Sequence, residues 1–257
     1  VVSGLIRELA PQHWAYINLF PNYANSAQLG TPDYATYLDR FVEECRPTIL
    51  SYDHYAVMED GTLGGRFFKN LEEMRSTAKR RKLPFWNIVL SVGCVGYRVP
   101  SDADLRFQAY STLAYGASGL TWFTYLTPQV GNFREAPEDQ FGHRTAAWSR
   151  LQNVNLQVQQ LAPTYLKLRQ DDAYHFAPVP DGAHGVAPES LLQEAGGANI
   201  FAADFTHEDG SRYVMIVNRD LQRSRFLGRL KFLNSPKQVL QVSPWTGTLH
   251  DFSREHK

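Results

Sequence analysis

The chain contains little cysteine, no excess of either charge and no long apolar run. Cys45 and Cys94 are the only cysteines in 257 residues and have no close-spaced partner, so the sequence predicts no metal motif and no disulfide framework. The 26 basic and 26 acidic side chains cancel, which argues against nucleic acid or an anionic membrane as a partner. No stretch approaches the roughly 20 apolar residues of a membrane span. We therefore expect no cofactor, no metal, no nucleic acid and no membrane.

The amino-terminal residues 1–7 lack methionine and enter an amphipathic pattern at once. They resemble neither a signal peptide nor a natural start, so we expect the sequence to begin inside a larger domain. These residues predict no cellular location.

One unit recurs four times in the first half of the chain. Each time an amphipathic stretch precedes a short apolar strand whose last residues are aromatic and polar. The predicted strands are 14–19, 48–52, 85–91 and 120–125, which start 34, 37 and 35 residues apart. The predicted helices are 33–45, 66–82, 102–116 and 145–168. The alternation predicts βα units and a parallel sheet, and the apolar strands indicate helices on both faces.

Two helix starts carry recognisable capping residues. Thr31 is the expected N-cap of the first of these helices, with Pro32 in the first helical position. Ser101 is the expected N-cap of a later one, with Asp104 in the capping-box position.

The composition changes near Gln170, where short β-rich runs replace the βα units. Turn residues separate the runs at 8–12-residue spacing, which is typical of an antiparallel sandwich. We therefore predict two domains, 1–170 and 171–257, and a loop at 178–197. The predicted strands are 174–176, 200–205, 213–217, 226–232, 239–242 and 248–252.

Four sequence strings give the chain a resemblance to a known group of enzymes. They are 17–23 (INLFPNY), 50–55 (LSYDHY), 115–125 (YGASGLTWFTY) and 214–220 (VMIVNRD). In this order they resemble bacterial glycosidase-like (β/α)8 barrels of the β-galactosidase and β-glycosidase clan, followed by their appended sandwich. The resemblance implies the carboxyl-terminal half of a glycoside hydrolase barrel, and related barrels are often exported.

The chain departs from this clan at the catalytic positions. The resemblance implies two glutamates, at the ends of the fourth and seventh barrel strands. If the four strands are the last four, 85–91 is the seventh, and it runs into Ser91–Cys94 without a carboxylate. The fourth strand would lie upstream. Neither glutamate can therefore be assigned to a residue of this chain.

The expected site lies at the carboxyl ends of the strands, where α/β barrels build their active sites. Asp53 is the only carboxylate immediately at a strand end; it could be catalytic, bind a sugar hydroxyl, or cap the following loop. Glu135, in the loop after the last strand, is the second catalytic candidate, although a solvated loop charge is the simpler interpretation. The expected substrate-binding residues are Asn22, Tyr23, Tyr52, His54, Tyr55, Trp122 and Tyr125.

Some of these residues have equally good structural interpretations. His54 without spaced partners is more typical of a hydrogen-bonding pocket residue than of a base or a metal ligand. Trp122 and Tyr125 could stack on a sugar or pack in the core. Asn22 and Tyr23 could face a ligand or form a turn.

Two functions follow as hypotheses. One is a glycoside hydrolase acting on a β-linked sugar; the other is a non-catalytic carbohydrate-binding or inactive glycosidase-like module. Because four strands cannot close a barrel, we expect a homo-oligomer in which two chains complete it. A purely structural assembly fragment would need no ligand.

Overall fold

A computed structural model describes residues 2–196, 199–224 and 229–252. Within them the chain forms a mixed α/β structure with one parallel sheet and three separate antiparallel sheets. The helices are α1 (Val2–Leu9), α2 (Ser26–Leu29), α3 (Tyr34–Cys45), α4 (Phe67–Arg81), α5 (Asp102–Ala114) and α6 (Ala146–Tyr165). The strands are β1 (Asn18–Leu19), β2 (Leu50–Asp53), β3 (Phe85–Leu90), β4 (Gly119–Phe123), β5 (Leu168–His175), β6 (Leu192–Ala195), β7 (Ile200–His207), β8 (Arg212–Asn218), β9 (Leu230–Phe232), β10 (Leu240–Val242) and β11 (Leu249–Asp251).

The capping residues show why two helices begin where they do. Ser101 and Asp104 form the expected capping box at the start of α5. The expected cap of α3 is wrong by two residues, because Asp33 is the N-cap and accepts a hydrogen bond from the backbone N–H of Thr36 at 2.8 Å. The Thr31 hydroxyl instead donates to the carbonyl of Asp33, so Thr31 and Pro32 precede the helix.

The parallel sheet has the order β1-β2-β3-β4, which confirms the predicted run of βα units. Ser51 pairs with Trp86, and Trp86 pairs with Gly119, so these three residues lie side by side across β2, β3 and β4. Strand β1 is shorter than the predicted 14–19, because only Asn18 and Leu19 pair with β2.

The two faces of this sheet differ. One face, which includes Leu50, Tyr52 and Phe85, belongs to a large apolar core with α3, α4 and α5. The other face carries Ser51, Asp53, Trp86, Ile88 and Thr121, and most of these side chains remain partly exposed. We call it the open face. The expectation that both faces are covered is therefore wrong for the described residues.

The carboxyl-terminal strands form antiparallel sheets that share the core of the first half. β7 lies between β5 and β8, β6 pairs with β9, and β10 pairs with β11. Phe201 and Phe205 join the same apolar core as Phe68 and Tyr115. A smaller cluster, which includes Tyr174, Leu192 and Ile216, joins the three-stranded sheet to β6 and β9.

Several predicted boundaries in this half need correction. β5 begins at Leu168, so the composition change near Gln170 falls inside a strand. The region predicted as a loop, 178–197, contains β6, which is stabilised by pairing with a strand distant in sequence. The predicted strand 226–232 is described only from residue 229, and β9 occupies Leu230–Phe232.

Candidate functional site

Asp53 ends β2 on the open face and stands at one end of a chain of hydrogen-bonded polar side chains. Its Oδ1 accepts a hydrogen bond from Nδ2 of Asn18, 2.6 Å away on the neighbouring strand. The Oδ1 of Asn18 in turn accepts from the hydroxyl of Ser51 at 3.1 Å. The Ser51 hydroxyl also lies 2.6 Å from the hydroxyl of Tyr16. Four polar side chains thus join the edge strand to β2.

Burial raises the pKa of the Asp53 carboxyl above its ordinary value, and the hydrogen bond from Asn18 opposes that rise only in part. A buried carboxylate loses hydration that a single amide donor does not replace. Asp53 therefore keeps its proton to a higher pH than a solvated aspartate does. A carboxyl group of this kind is suited to donating a proton.

Tyr23 and Tyr55 lie near Asp53, and Tyr97 contacts both of these tyrosines. Burial raises the pKa of Tyr23, and contact with the Tyr97 hydroxyl and the charge of Asp53 raise it further. The pKa of Tyr55 is likewise raised, by burial and then by Asp53. The Tyr55 ring stacks on Phe123 with centroids 5.9 Å apart and meets the edge of Tyr97 at 5.7 Å. The result is a carboxyl group beside neutral phenols and flat aromatic surface.

Three of the predicted site residues lie on the opposite, helix-facing side of the sheet. Tyr52 is fully buried in the large core. His54 is also buried, and its Nδ1 lies 2.8 Å from Oδ1 of Asn70 on α4; burial lowers its pKa to about 4. Trp122 donates from Nε1 to Oδ1 of Asn155 on α6 at 2.9 Å. These residues follow the period-two alternation of a strand and therefore face away from Asp53.

Asn22 does not contact Asp53 but anchors the segment that carries Tyr23. Its backbone N–H donates to Oδ1 of Asn70 at 3.0 Å, and its Nδ2 donates to Oε2 of Glu73 at 2.8 Å. These contacts fasten the segment after β1 to α4. The adjacent Tyr23 ring meets the edge of His54 at 5.0 Å, so the same anchor positions Tyr23.

The structure does not bring Glu135 or Tyr125 into contact with Asp53. Glu135 is exposed and has a left-handed backbone conformation, with φ of 51°. Its neighbour Arg134 forms an ion pair with Glu59 at 2.6 Å. Tyr125 is exposed and lines a cavity of about 510 Å³ along α6, together with Trp148 and Leu156.

Sequence reasoning missed Tyr16, Asn18 and Tyr97. Strand alternation was the available signal for the first two. Side chains two residues apart in a strand lie on the same face of the sheet, so Tyr16 and Asn18 share a face, and Ser51 and Asp53 share a face on the next strand. Tyr97 is brought to the site by the segment after β3, and no strand pattern predicts its position.

The described residues hold no cluster of His, Cys, Asp or Glu arranged to bind a metal ion. None of the described helices is long and apolar enough to span a membrane. The chain matches no protein-family model and no curated protein sequence at a significant level.

Proposed function

We propose that this chain is a glycoside hydrolase acting on a β-linked sugar and that Asp53 is the proton-donating carboxyl. The observation that carries the proposal is the partly buried Asp53, with a raised pKa, beside Asn18, Tyr23 and Tyr55. Glycosidic cleavage needs a carboxyl that remains protonated to protonate the leaving oxygen. Aromatic rings with polar tips suit the apolar faces and hydroxyls of a sugar.

Glycosidic cleavage also needs a second carboxyl group ~5–10 Å from the first. Among the described residues no other carboxylate contributes to the shifted pKa of Asp53. We propose that the four βα units are half of a (β/α)8 barrel and that a second copy of the chain supplies the other half. Its Asp53 would then face the same cleft and complete the pair.

Exposed apolar side chains in the segments before β1 and after β4 support this assembly. Before β1 in the sequence, Leu5, Leu9 and Trp14 are exposed, and Trp14 has 57% of its surface accessible. Beyond β4, Tyr125 and Leu156 are exposed. Surfaces of this kind are usually covered. In a two-fold barrel, β4 of each copy would pair with β1 of the other.

The activity is tested with a panel of nitrophenyl β-glycosides. The wild type should cleave at least one of them, and Asp53→Asn should lower kcat by roughly 100-fold or more, the usual contribution of a general acid. Asp181→Asn is the matched control, because Asp181 is highly exposed and pairs only loosely with Lys69 at 3.8 Å. Glu135→Gln tests the second predicted catalytic residue. Wild-type turnover that Asp53→Asn leaves unchanged would exclude the assignment.

Among the described residues no second carboxylate affects the pKa of Asp53, and this favours a second candidate, a non-catalytic carbohydrate-binding or inactive glycosidase-like module. In this case galactosides or glucosides would change the tryptophan fluorescence without being cleaved. Asp53→Asn would weaken binding, while Asp181→Asn would not. A chain that neither cleaves nor binds any sugar on the panel would contradict both candidates.

The assembly has its own test. Light scattering at micromolar concentration should give the mass of two chains, since a standard interface of ~1,600 Å² supports stable association. A well-folded monomer would refute the shared cleft and leave the binding module as the better function.

A further inference from the structure

Three segments that follow strands of the parallel sheet are joined to one another by hydrogen bonds. The segments are 54–66, between β2 and α4, 91–101, between β3 and α5, and 124–145, between β4 and α6. Antiparallel bridges link Met58 to Tyr97 and Gly93 to Arg134. Segments at this end of parallel strands commonly carry or position binding residues.

Arg134 lies where the three segments meet. Its Nη2 donates to the carbonyl oxygen of Tyr97 at 3.0 Å and to that of Cys94 at 3.4 Å. Its Nη1 and Nη2 also donate to the two carboxylate oxygens of Glu59, at 3.2 and 2.6 Å. One side chain from the segment after β4 thus holds the segments after β2 and β3.

These contacts fix more than an ion pair would. Arg134 and Glu59 are both partly exposed, and an exposed ion pair by itself contributes little. Here the planar guanidinium binds the carboxylate through two nitrogens and also holds two backbone carbonyls, which a lysine ammonium could not match. Those carbonyls belong to a tight turn, in which Cys94 and Tyr97 exchange backbone hydrogen bonds of 3.1 and 2.8 Å. Arg134 therefore determines where this turn lies.

The turn carries Tyr97, whose half-buried side chain contacts the candidate site. Its ring meets the edge of the Tyr55 ring with centroids 5.7 Å apart, and its hydroxyl contacts that of Tyr23. Tyr23 and Tyr55 are both close enough to Asp53 for its charge to raise their pKa values. The position of the turn therefore sets the position of the aromatic surface beside Asp53.

We propose that Arg134 is a positioning residue for the sugar site. It holds the turn at 94–97 against Glu59 and so fixes Tyr97 against Tyr55, the surface that contacts the apolar face of the sugar. Its effect on sugar binding rests on the proposed function, whereas its effect on Tyr97 belongs to the chain alone. Arg134 acts through Tyr97 and takes no part in proton transfer.

Arg134→Met should weaken binding of nitrophenyl β-galactoside or β-glucoside about tenfold, the order expected when one aromatic contact is lost. For a glycoside that is cleaved, KM should rise while kcat stays unchanged, because Asp53 keeps its own partner, Asn18. A general loss of stability would not separate the two constants in this way. Fluorescence titration and steady-state kinetics measure the two effects.

A second measurement needs no sugar. In Arg134→Met, hydrogen exchange should become faster at the backbone N–H groups of Gly93 and Tyr97 and stay unchanged in β7 and β8. The nuclear Overhauser contact between the Tyr55 and Tyr97 rings should disappear. Arg40→Met is the matched control, because Arg40 is exposed on α3 and forms its ion pair with Glu44 on the same helix.

Glu59→Gln tests the part played by the two carbonyls. It keeps an acceptor of the same length and leaves the contacts of Arg134 with Cys94 and Tyr97, so its effects should be smaller than those of Arg134→Met. Equal effects of the two variants would show a simple ion pair and overturn the proposal.

Other outcomes also decide the role of Arg134. Unchanged exchange and an unchanged ring contact in Arg134→Met would overturn it, as would equally faster exchange in β7 and β8 or a fall in kcat at constant KM. A wild type that binds neither glycoside would count against the proposed function. Exchange and the ring contact would still decide whether Arg134 positions Tyr97.

Discussion

The Nδ2 of Asn18 donates a hydrogen bond of 2.6 Å to the carboxylate of Asp53, from one parallel strand to the next. This bond stabilises the ionised carboxylate, while burial destabilises it, and burial has the larger effect on the pKa. The protonation of Asp53 thus depends on a residue 35 positions earlier in the sequence.

Asn18→Ala should raise the pKa of Asp53 further, because it removes the donor that favours the charged form. The ¹³C shift of the Asp53 carboxyl, followed against pH, measures the change. Asn155→Ala is the control, since Asn155 bonds to Trp122 on the other face and should leave the titration unchanged. An unaltered titration in Asn18→Ala would disprove the coupling.

Asp53→Asn should make the protein more stable at pH 7. The pKa of Asp53 is higher in the folded state, so its favourable contribution is complete below the ordinary pKa of about 3.9 and is lost as the pH rises through the folded value. The neutral amide avoids the resulting cost of a buried charge. Urea unfolding should show a higher unfolding free energy for Asp53→Asn than for the wild type at pH 7, and this difference should be smaller at pH 4.

The control variant for this prediction should change the stability in the opposite direction. Asp33→Asn should destabilise the protein at pH 7, because hydrogen bonds from Thr36 lower the pKa of Asp33 and its ionised form caps α3. If both variants shifted stability in the same direction, burial would not be the cause of the behaviour of Asp53.

Gly119→Ala should displace Trp86 and cost about 1–3 kcal/mol of unfolding free energy, the usual range for overpacking. A Cβ at Gly119 would overlap the indole of Trp86. A change in tryptophan fluorescence should accompany the loss. Gly65→Ala is the matched control, because a Cβ there has nothing within 4 Å. Equal stability of the two variants would contradict the close approach.

Tyr52→Phe should raise the unfolding free energy by about 1 kcal/mol, because the Tyr52 hydroxyl is buried with no hydrogen-bond partner among the described residues. Sugar binding should not change, since Tyr52 faces the helices. Tyr55→Phe should instead weaken sugar binding. Chemical denaturation measures the change in stability, and fluorescence titration measures sugar binding. A loss of binding in Tyr52→Phe would show that Tyr52 belongs to the binding site after all.

Local sequence signals determined much of the secondary structure. The spacing of apolar residues predicted α3, α4, α5 and α6 and the order of the parallel strands, because helix and strand periods are properties of adjacent residues. Ser101 and Asp104 predicted their capping box for the same reason. Strand β6 was missed because pairing with a distant strand, rather than local pattern, stabilises it.

The composition of the candidate site depended on the tertiary structure. The sequence by itself determined that a carboxylate, Asp53, stands at a strand end among aromatic residues, and that Tyr52 and His54 alternate with it. Only the folded sheet decided that Asn18 lies beside Asp53 and that Tyr23, which contacts Tyr97, lies near it. The environment of a carboxyl group depends on neighbours that are far apart in sequence, so its pKa and its chemistry follow from packing.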